Sequence, residues 1–255
     1  MEPIARKCSG FCDLFLELFC AKIELNVTGF RYAQFCPIAR ACELLASRWT
    51  LLIVRDLFSR GPLRFSDLRD GLPGVSSSVL SERMAHLEGH GIVERRELPP
   101  PAASTVYALT DTGLALRPAL IEFLRWGLRF MAASQPDDHF EPGWLPMGIE
   151  AIARHDPVPD VRIGLRIRNG DSPIQVMVRG GADGVHVESG AGETDAQLDT
   201  DGRAAVLLAA GALSLEQAEA TGLASAHGDR AVLERFSELF EMPAPEPTPN
   251  QGSIS

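Results

Sequence analysis

Residues 72–96 read LPGVSSSVLSERMAHLEGHGIVERR. Pro73 and Gly74 open the stretch as a turn. Ser76 then stands where a helix needs an oxygen for its first free amides. Leu80, Met84 and Leu87 recur at helical spacing and predict one buried stripe. Ser78, Ser81, Glu82, Ala85 and His86 point away from that stripe, with Val79 and Arg83 on its flanks. After Gly91 the period changes from helical to alternating, and IVERREL reads as a strand carrying Arg95 and Arg96.

Outward from this stretch the pattern stays sharp. CPIARACELLASR predicts a helix that starts at Pro37, where a missing N–H is harmless. WTLLIVRDLFSRG predicts a second, with Trp49, Leu52, Ile53 and Leu57 inward and Gly61–Pro62 as its stop. RFSDLRDGL is a third, short helix with Phe65 and Leu68 inward. IVERREL and STVYALT form a hairpin around a proline tip. Thr110 caps a last helix, DTGLALRPALIEFLRWGLRFMAAS, with Pro118 as a kink point. Three helices, a fourth after a tight turn and a two-stranded wing make a winged helix-turn-helix, whose post-turn helix enters the DNA major groove. Small serines there admit close backbone approach, and a helix N-terminus attracts phosphate. The expected DNA-contacting residues are Ser76, Ser77, Ser78, Ser81, Arg83, His86, Arg64, Arg69, Arg95 and Arg96.

The run from CPIARACELLASRWTLLIVRDLF through LSERMAHLEGHGIVERR to VYALTDTGLAL and RWG closely resembles the HxlR-type winged-helix transcriptional regulators. CPIA, RWTLLI, RFSDL, LPGVS, LSERM and YALT occur in order, over roughly residues 32–130. The resemblance implies a homodimer, built by the first and last helices of the domain, on a roughly palindromic operator. It also implies a usual start near Arg31 and marks Cys36, just before Pro37, as a redox-sensing candidate. A helix N-terminus at that place favours thiolate. One departure is that the post-turn helix has one arginine and two acids, Glu82 and Glu88.

The net charge of −10 is unevenly spread. Residues 32–133 carry 12 arginines and 10 acids, whereas residues 134–255 carry 8 arginines and 20 acids. The acidity therefore belongs to the second half, and a basic face on the first half remains open to DNA. Residues 1–30 read as an amphipathic extension, with Phe11, Leu14, Phe15, Leu18, Phe19 and Ile23 at helical spacing. The winged-helix domain spans 31–133, and 134–160 is a Pro/Asp/His-rich linker with a short helix near 145–154.

In the second half, VRIGLRIR places Val161, Ile163, Leu165 and Ile167 on one face and arginines on the other. IQVMVRG and GVHVES alternate too, with Asn169-Gly170 and Gly180-Gly181 as turns. This predicts an antiparallel sheet with one buried face. Helices follow in DGRAAVLLAAG, in SLEQAEATG with a Ser214/Gln217 capping box, and in GDRAVLERFSELF. Residues 145–241 resemble the sterol-carrier-protein-like fold through the G-x-L-S-x-x-x-A and G-D-x-x-x-L-x-x-F steps. That resemblance implies a sheet covered by helices and a small hydrophobic ligand. The pocket candidates are Val176, Val178, Leu207, Phe236, Leu239 and Phe240. The tail, 242–255, reads as disordered. The fold class is α+β.

The six histidines are scattered, the five cysteines lie in the first 42 residues, and no Walker, Rossmann or G-x-S-x-G motif occurs. No enzyme, metal, cofactor or membrane insertion is expected, and the chain is read as cytoplasmic. Three functions remain open at this point. One is a DNA-binding regulator, a repressor, gated by a hydrophobic ligand. The second is a regulator whose signal is oxidation of Cys36. The third is a lipid-binding or carrier protein that no longer binds DNA.

Overall fold

A computed structural model describes residues 31–100, 103–131, 139–170 and 172–245. The expected N-terminal extension and the tail from residue 246 lie outside the described residues.

The first half follows the expected order. Pro37 sits in the first turn of α1 (Pro37–Leu45). Next come α2 (Thr50–Arg60), α3 (Phe65–Asp70) and α4 (Ser77–Gly89). The wing is β1 (Val93–Glu97) paired antiparallel with β2 (Thr105–Leu109), with Arg95 opposite Tyr107. Leu63 adds a bridge to Tyr107, tying the segment before α3 to the wing. Leu80, Met84 and Leu87 of α4 are buried together with Ile53, Leu57 and Leu68. Burial of each such side chain contributes about 1.5–3 kcal/mol, which fixes the rotation of α4 about its axis. The inward face of α2 differs from the sequence reading: Leu52 is exposed, and Val54 is buried beside Ile53 and Leu57. At about 100° per residue Leu57 and Val54 fall on one side of Ile53 and Leu52 falls a hundred degrees to the other, outside the stripe.

The last helix of this half is broken. Thr110 caps α5 (Asp111–Leu114) by accepting from the Gly113 amide, and α6 (Arg117–Leu128) starts anew with Pro118 in its first turn. A side chain at residue 113 would collide with the Ile92 carbonyl at the root of the wing, so glycine is required there.

The second half opens with α7 (Leu145–Ile152), preceded by a 3-10 turn over Pro142–Trp144. The expected helix is present, but it is no solvated connector. Met147 and Ala151 are buried in the winged-helix core, while Leu145, Ile149 and Ile152 are buried in the core under the sheet. One short helix thus serves as a wall for both halves.

The sheet is β3 (Val161–Ile167), β4 (Ile174–Gly181), β5 (Gly184–Ser189), β6 (Ala196–Thr200) and β7 (Ala224–Gly228). Its order is β5-β4-β3-β6-β7. The expectation of an antiparallel sheet is corrected here, because β3 and β6 are parallel, with Leu165 opposite Leu198. The cause lies in residues 190–195, which carry the chain across the outer face from the β5 edge to the far side of β3. That passage packs Gly192 on Met177 and Thr194 on Gly164. It buries Met177 on a face that is otherwise solvated. Gly180 and Gly181 lie in β4 rather than in a turn, which falls at residues 182–183.

The buried face is covered by α8 (Gly202–Ala209), α9 (Leu215–Ala220) and α10 (Arg230–Glu234), the last followed by a 3-10 turn over Phe236–Leu239. The Ser214/Gln217 capping box is formed. On the solvated face Arg162 and Arg166 of β3, and Arg168 just after it, pair with Asp195, Asp199 and Asp201 in and at the two ends of β6. This ladder accounts for part of the acidity of the second half. The Arg162 guanidinium bonded to Asp195 holds that carboxyl below the usual range.

Candidate nucleic-acid interface

The interface is built around α4. Ser76 Oγ accepts from the Val79 amide at 3.3 Å and lies 3.1 Å from Ser78 Oγ. One orphan donor of the helix start is thereby satisfied, and the remaining N-terminal amides stay aimed outward. Ser77, Ser78, Ser81, Glu82 and Ala85 form the exposed face. Apart from Glu82, that face carries only three hydroxyls and one methyl, which let the helix backbone come close to a duplex.

His86 does not join that face. It is half-buried, and its Nε2 lies 3.1 Å from the Leu44 carbonyl at the end of α1. The His90 Nδ1 bonds the His86 carbonyl, and the two rings lie tilted by 46° with centroids 4.4 Å apart. Burial, and then the neighbouring His90, push the His86 pKa down, so the neutral ring is favoured. The outward position expected for His86 is corrected on that ground: a neutral imidazole bonded to Leu44 locks α4 to α1.

Apart from Arg83, the cations surround α4 rather than sit on it. Arg64, just before α3, donates Nε to Ser104 Oγ at the wing, 3.1 Å away. Arg95 lies over the Tyr107 ring and pairs with Glu88 of α4 at 3.3 Å. Arg96 pairs with Glu94, Arg69 with Asp70, and Arg83 with Glu82. Four of the expected DNA-contacting arginines, all but Arg64, therefore have a carboxylate beside the guanidinium. Exposed pairs of this sort hold by about 0–1 kcal/mol, and a phosphate can replace the carboxylate.

The other candidates fall elsewhere. Cys36 is the N-cap residue of α1, half-buried and free, and its side chain makes no capping bond. Beside it Phe35 and Ile38 are exposed, as are Phe123, Trp126 and Phe130 on and just beyond α6. Val176, Val178, Phe236, Leu239 and Phe240 pack into the buried core of the second half. Leu207 is corrected as a pocket candidate, since it is 44% exposed on the outer side of α8. Its neighbour Leu208 faces the core and lines an open cleft of about 350 Å³ with Leu215, Leu233 and Phe236, together with the charged Glu216, Arg230 and Glu234. Among the described residues no group of three or more His, Cys, Asp and Glu side chains is placed to hold a metal ion. No helix there is long and apolar enough to cross a membrane.

The sequence reading missed Asp56, Arg55 and Trp144. Asp56 is fully buried in α2. Its Oδ1 accepts from the Trp144 indole at 2.9 Å and from Arg55 Nε at 3.0 Å. The Arg55 guanidinium also covers the Trp144 ring at 3.8 Å. The available signal was Asp56 itself, three residues after Ile53 on the apolar side of a helix.

Residues 44–135 match the HxlR-like helix-turn-helix family. The uncharacterized HTH-type transcriptional regulator YvaP of Bacillus subtilis is 39% identical over 103 residues, covering 40% of this chain and 94% of YvaP. The HTH-type transcriptional regulator YodB of the same organism is 38% identical over 96 residues, covering 37% of this chain and 85% of YodB. The crystal structure of the reduced form of YodB covers 40% of this chain and all of that one, at 35% identity and a TM-score of 0.35.

Proposed function

The chain belongs to the HxlR-like helix-turn-helix family, and we propose that this DNA-binding transcriptional regulator is a homodimeric repressor on a near-palindromic operator. The observation that carries this reading is α4, capped by Ser76, anchored by Leu80, Met84 and Leu87, and exposed through Ser77, Ser78 and Ser81. Ser77, Ser78 and Ser81 are assigned to base edges and phosphates. Ser76 contributes the helix start, and Arg64, Arg69, Arg83, Arg95 and Arg96 contact the DNA backbone. His86 is left out, because its ring is committed to Leu44. The exposed apolar side chains of α1 and α6 support a dimer built on those helices. Two copies of α4 would then read half-sites about one helical turn apart.

The second half is assigned a sterol-carrier-protein-like fold and a regulatory role, with a small hydrophobic ligand. A sheet covered on one face by helices supports the first, and the cleft at Leu208, Leu215, Leu233 and Phe236 supports the second. A ligand shifts the dimer only by its differential affinity for two arrangements of the reading helices.

Fluorescence anisotropy on the upstream region of its own gene, across a salt series and before and after delipidation, tests the reading. Specific binding that changes on delipidation is expected. The double substitution Arg95→Ala with Arg96→Ala should reduce the log–log salt slope by about 1–2, close to one unit per lost phosphate contact. An unaltered slope removes the wing from the interface, and absence of specific binding in either form favours a carrier.

A second reading makes Cys36 the signal, favoured by its position between exposed Phe35 and Ile38 on the proposed dimer face. Oxidant should then lower operator affinity in the parent protein but not in Cys36→Ser. Equal loss in both would exclude Cys36 as the sensor.

A further inference from the structure

The junction between the halves has a feature that packing alone does not require. Asp56 is a carboxylate with no exposed surface, in a helix of the winged-helix half. A buried charge is costly unless it is paired and hydrogen-bonded. One of its hydrogen bonds comes from across the junction, from the Trp144 indole. Arg55, which stacks on that indole, supplies the other. Its second oxygen, Oδ2, makes no hydrogen bond among the described residues. Arg60 stands 3.9 Å from it.

Arg60 reaches onward. Its Nη1 lies 3.4 Å from the Asp67 carbonyl in α3, the same carbonyl that accepts from the Gly71 amide. A Cβ at residue 71 would stand 2.7 Å from Arg60 Nη1 and 2.9 Å from Asp56 Oδ2. The end of α3 therefore rests directly on the Asp56–Arg60 pair, with no room for a methyl group. A short turn leads from Gly71 to Ser76, the cap of α4. Within it Leu72 is buried and the Val75 amide bonds the Leu72 carbonyl. Few residues therefore separate the seat of α3 from the cap of α4.

We propose that Trp144 and Asp56 are positioning residues for DNA reading: the second half, through the Trp144 indole, holds the Asp56 carboxylate, which with Arg60 sets the end of α3 and so the delivery of α4. Neither residue touches DNA. The inference rests on the DNA-reading role of α4 and names the contact by which the second half acts on it. A ligand that tilts α7 would move Trp144, which precedes it directly, and loosen the seat of α3.

The test uses the full chain and Trp144→Phe, which keeps a ring for Arg55 to stack on and removes the N–H. The probes are a duplex selected by the parent protein from random sequence and a scrambled duplex of equal composition. Loss of a hydrogen bond to a charged group predicts about a tenfold loss of affinity for the selected duplex. Affinity for the scrambled duplex should stay the same, because phosphate contacts tolerate a small displacement of α4. Amide exchange at residues 71–76 should rise by a similar factor, with exchange in β3 and β4 unchanged. Gly71→Ala is compatible with the backbone, since residue 71 is in the right-handed helical region. It should produce the same selective loss, and adding Trp144→Phe to it should cost little more.

Equal loss of affinity for both duplexes, or faster exchange confined to residues 139–152, would overturn the proposal by reducing Trp144 to a stabilising contact. If the parent protein selects no sequence while Trp144→Phe still accelerates exchange at 71–76, the mechanical link stands and the DNA-reading role of α4 falls. Unchanged exchange at 71–76 would sink the link itself.

Discussion

A chain cut after Met131, which retains every winged-helix element, should fail to fold stably. The cut removes Met147 and Ala151 from the core of that half. It also takes the indole donor from the buried Asp56. The lost apolar burial is worth about 2–3 kcal/mol, and a buried carboxylate stripped of a partner adds about 2–3 kcal/mol more. Together these approach the whole stability of a domain, about 5–15 kcal/mol. Circular dichroism should show a melt lowered by tens of degrees or no cooperative melt at all. A fragment extended to residue 156 should regain part of the loss, since it restores Trp144 and α7. A fragment 31–131 that melts within a few degrees of the full chain would refute the shared wall.

Leu80→Ala should be the most damaging single change within the reading helix. Leu80 has no exposed surface and begins the stripe, with Met84 and Leu87, that fixes α4. Truncation of a buried leucine to alanine costs about 2–5 kcal/mol, from lost transfer energy and the cavity left behind. In a chain of this size each kcal/mol lowers the melting temperature by about 2–4 °C. A fall of about 4–20 °C is expected, with loss of specific DNA binding at temperatures where the parent protein still binds. Ser81→Ala is the control one residue away. Ser81 is exposed, so its replacement should leave the melt unchanged and act on DNA affinity alone. A Leu80→Ala protein with an unaltered melt would mean that α4 is not anchored through this stripe.

The difference between these two variants marks what was readable in the chain. Leu80 and Ser81 are adjacent, yet the helical period of 3.6 by itself separates a core position from an exposed one. The same local rules gave the Ser76 cap, the wing hairpin, the Thr110 cap, and the alternation of Val161, Ile163, Leu165 and Ile167. In each case the information lies within a few residues, because helix caps, turns and strand faces are set by local hydrogen bonds and side-chain direction.

His86 shows where that information stops. Its helical position turned it outward by period alone, but a carbonyl at the end of α1, 42 residues away, captured its ring. Leu207 failed for a related reason. It and Leu208 are equally apolar, and which one faces the sheet depends on how α8 lies against it.

The chain alone determined the winged-helix half, because every element there is signalled locally and the elements are joined by short turns in sequence order. It also determined that the second half is a sheet with one apolar face and helices to cover it. The tertiary structure alone decided that β6 runs parallel to β3, since the chain crosses the sheet through residues 190–195, whose direction no local pattern encodes. It alone decided that residues 145–152 are core to both halves, because a helix with two buried faces reads locally as merely apolar. And it alone gave Asp56 its partner, since nothing in the spacing of 88 residues between Asp56 and Trp144 says that a carboxylate and an indole will meet.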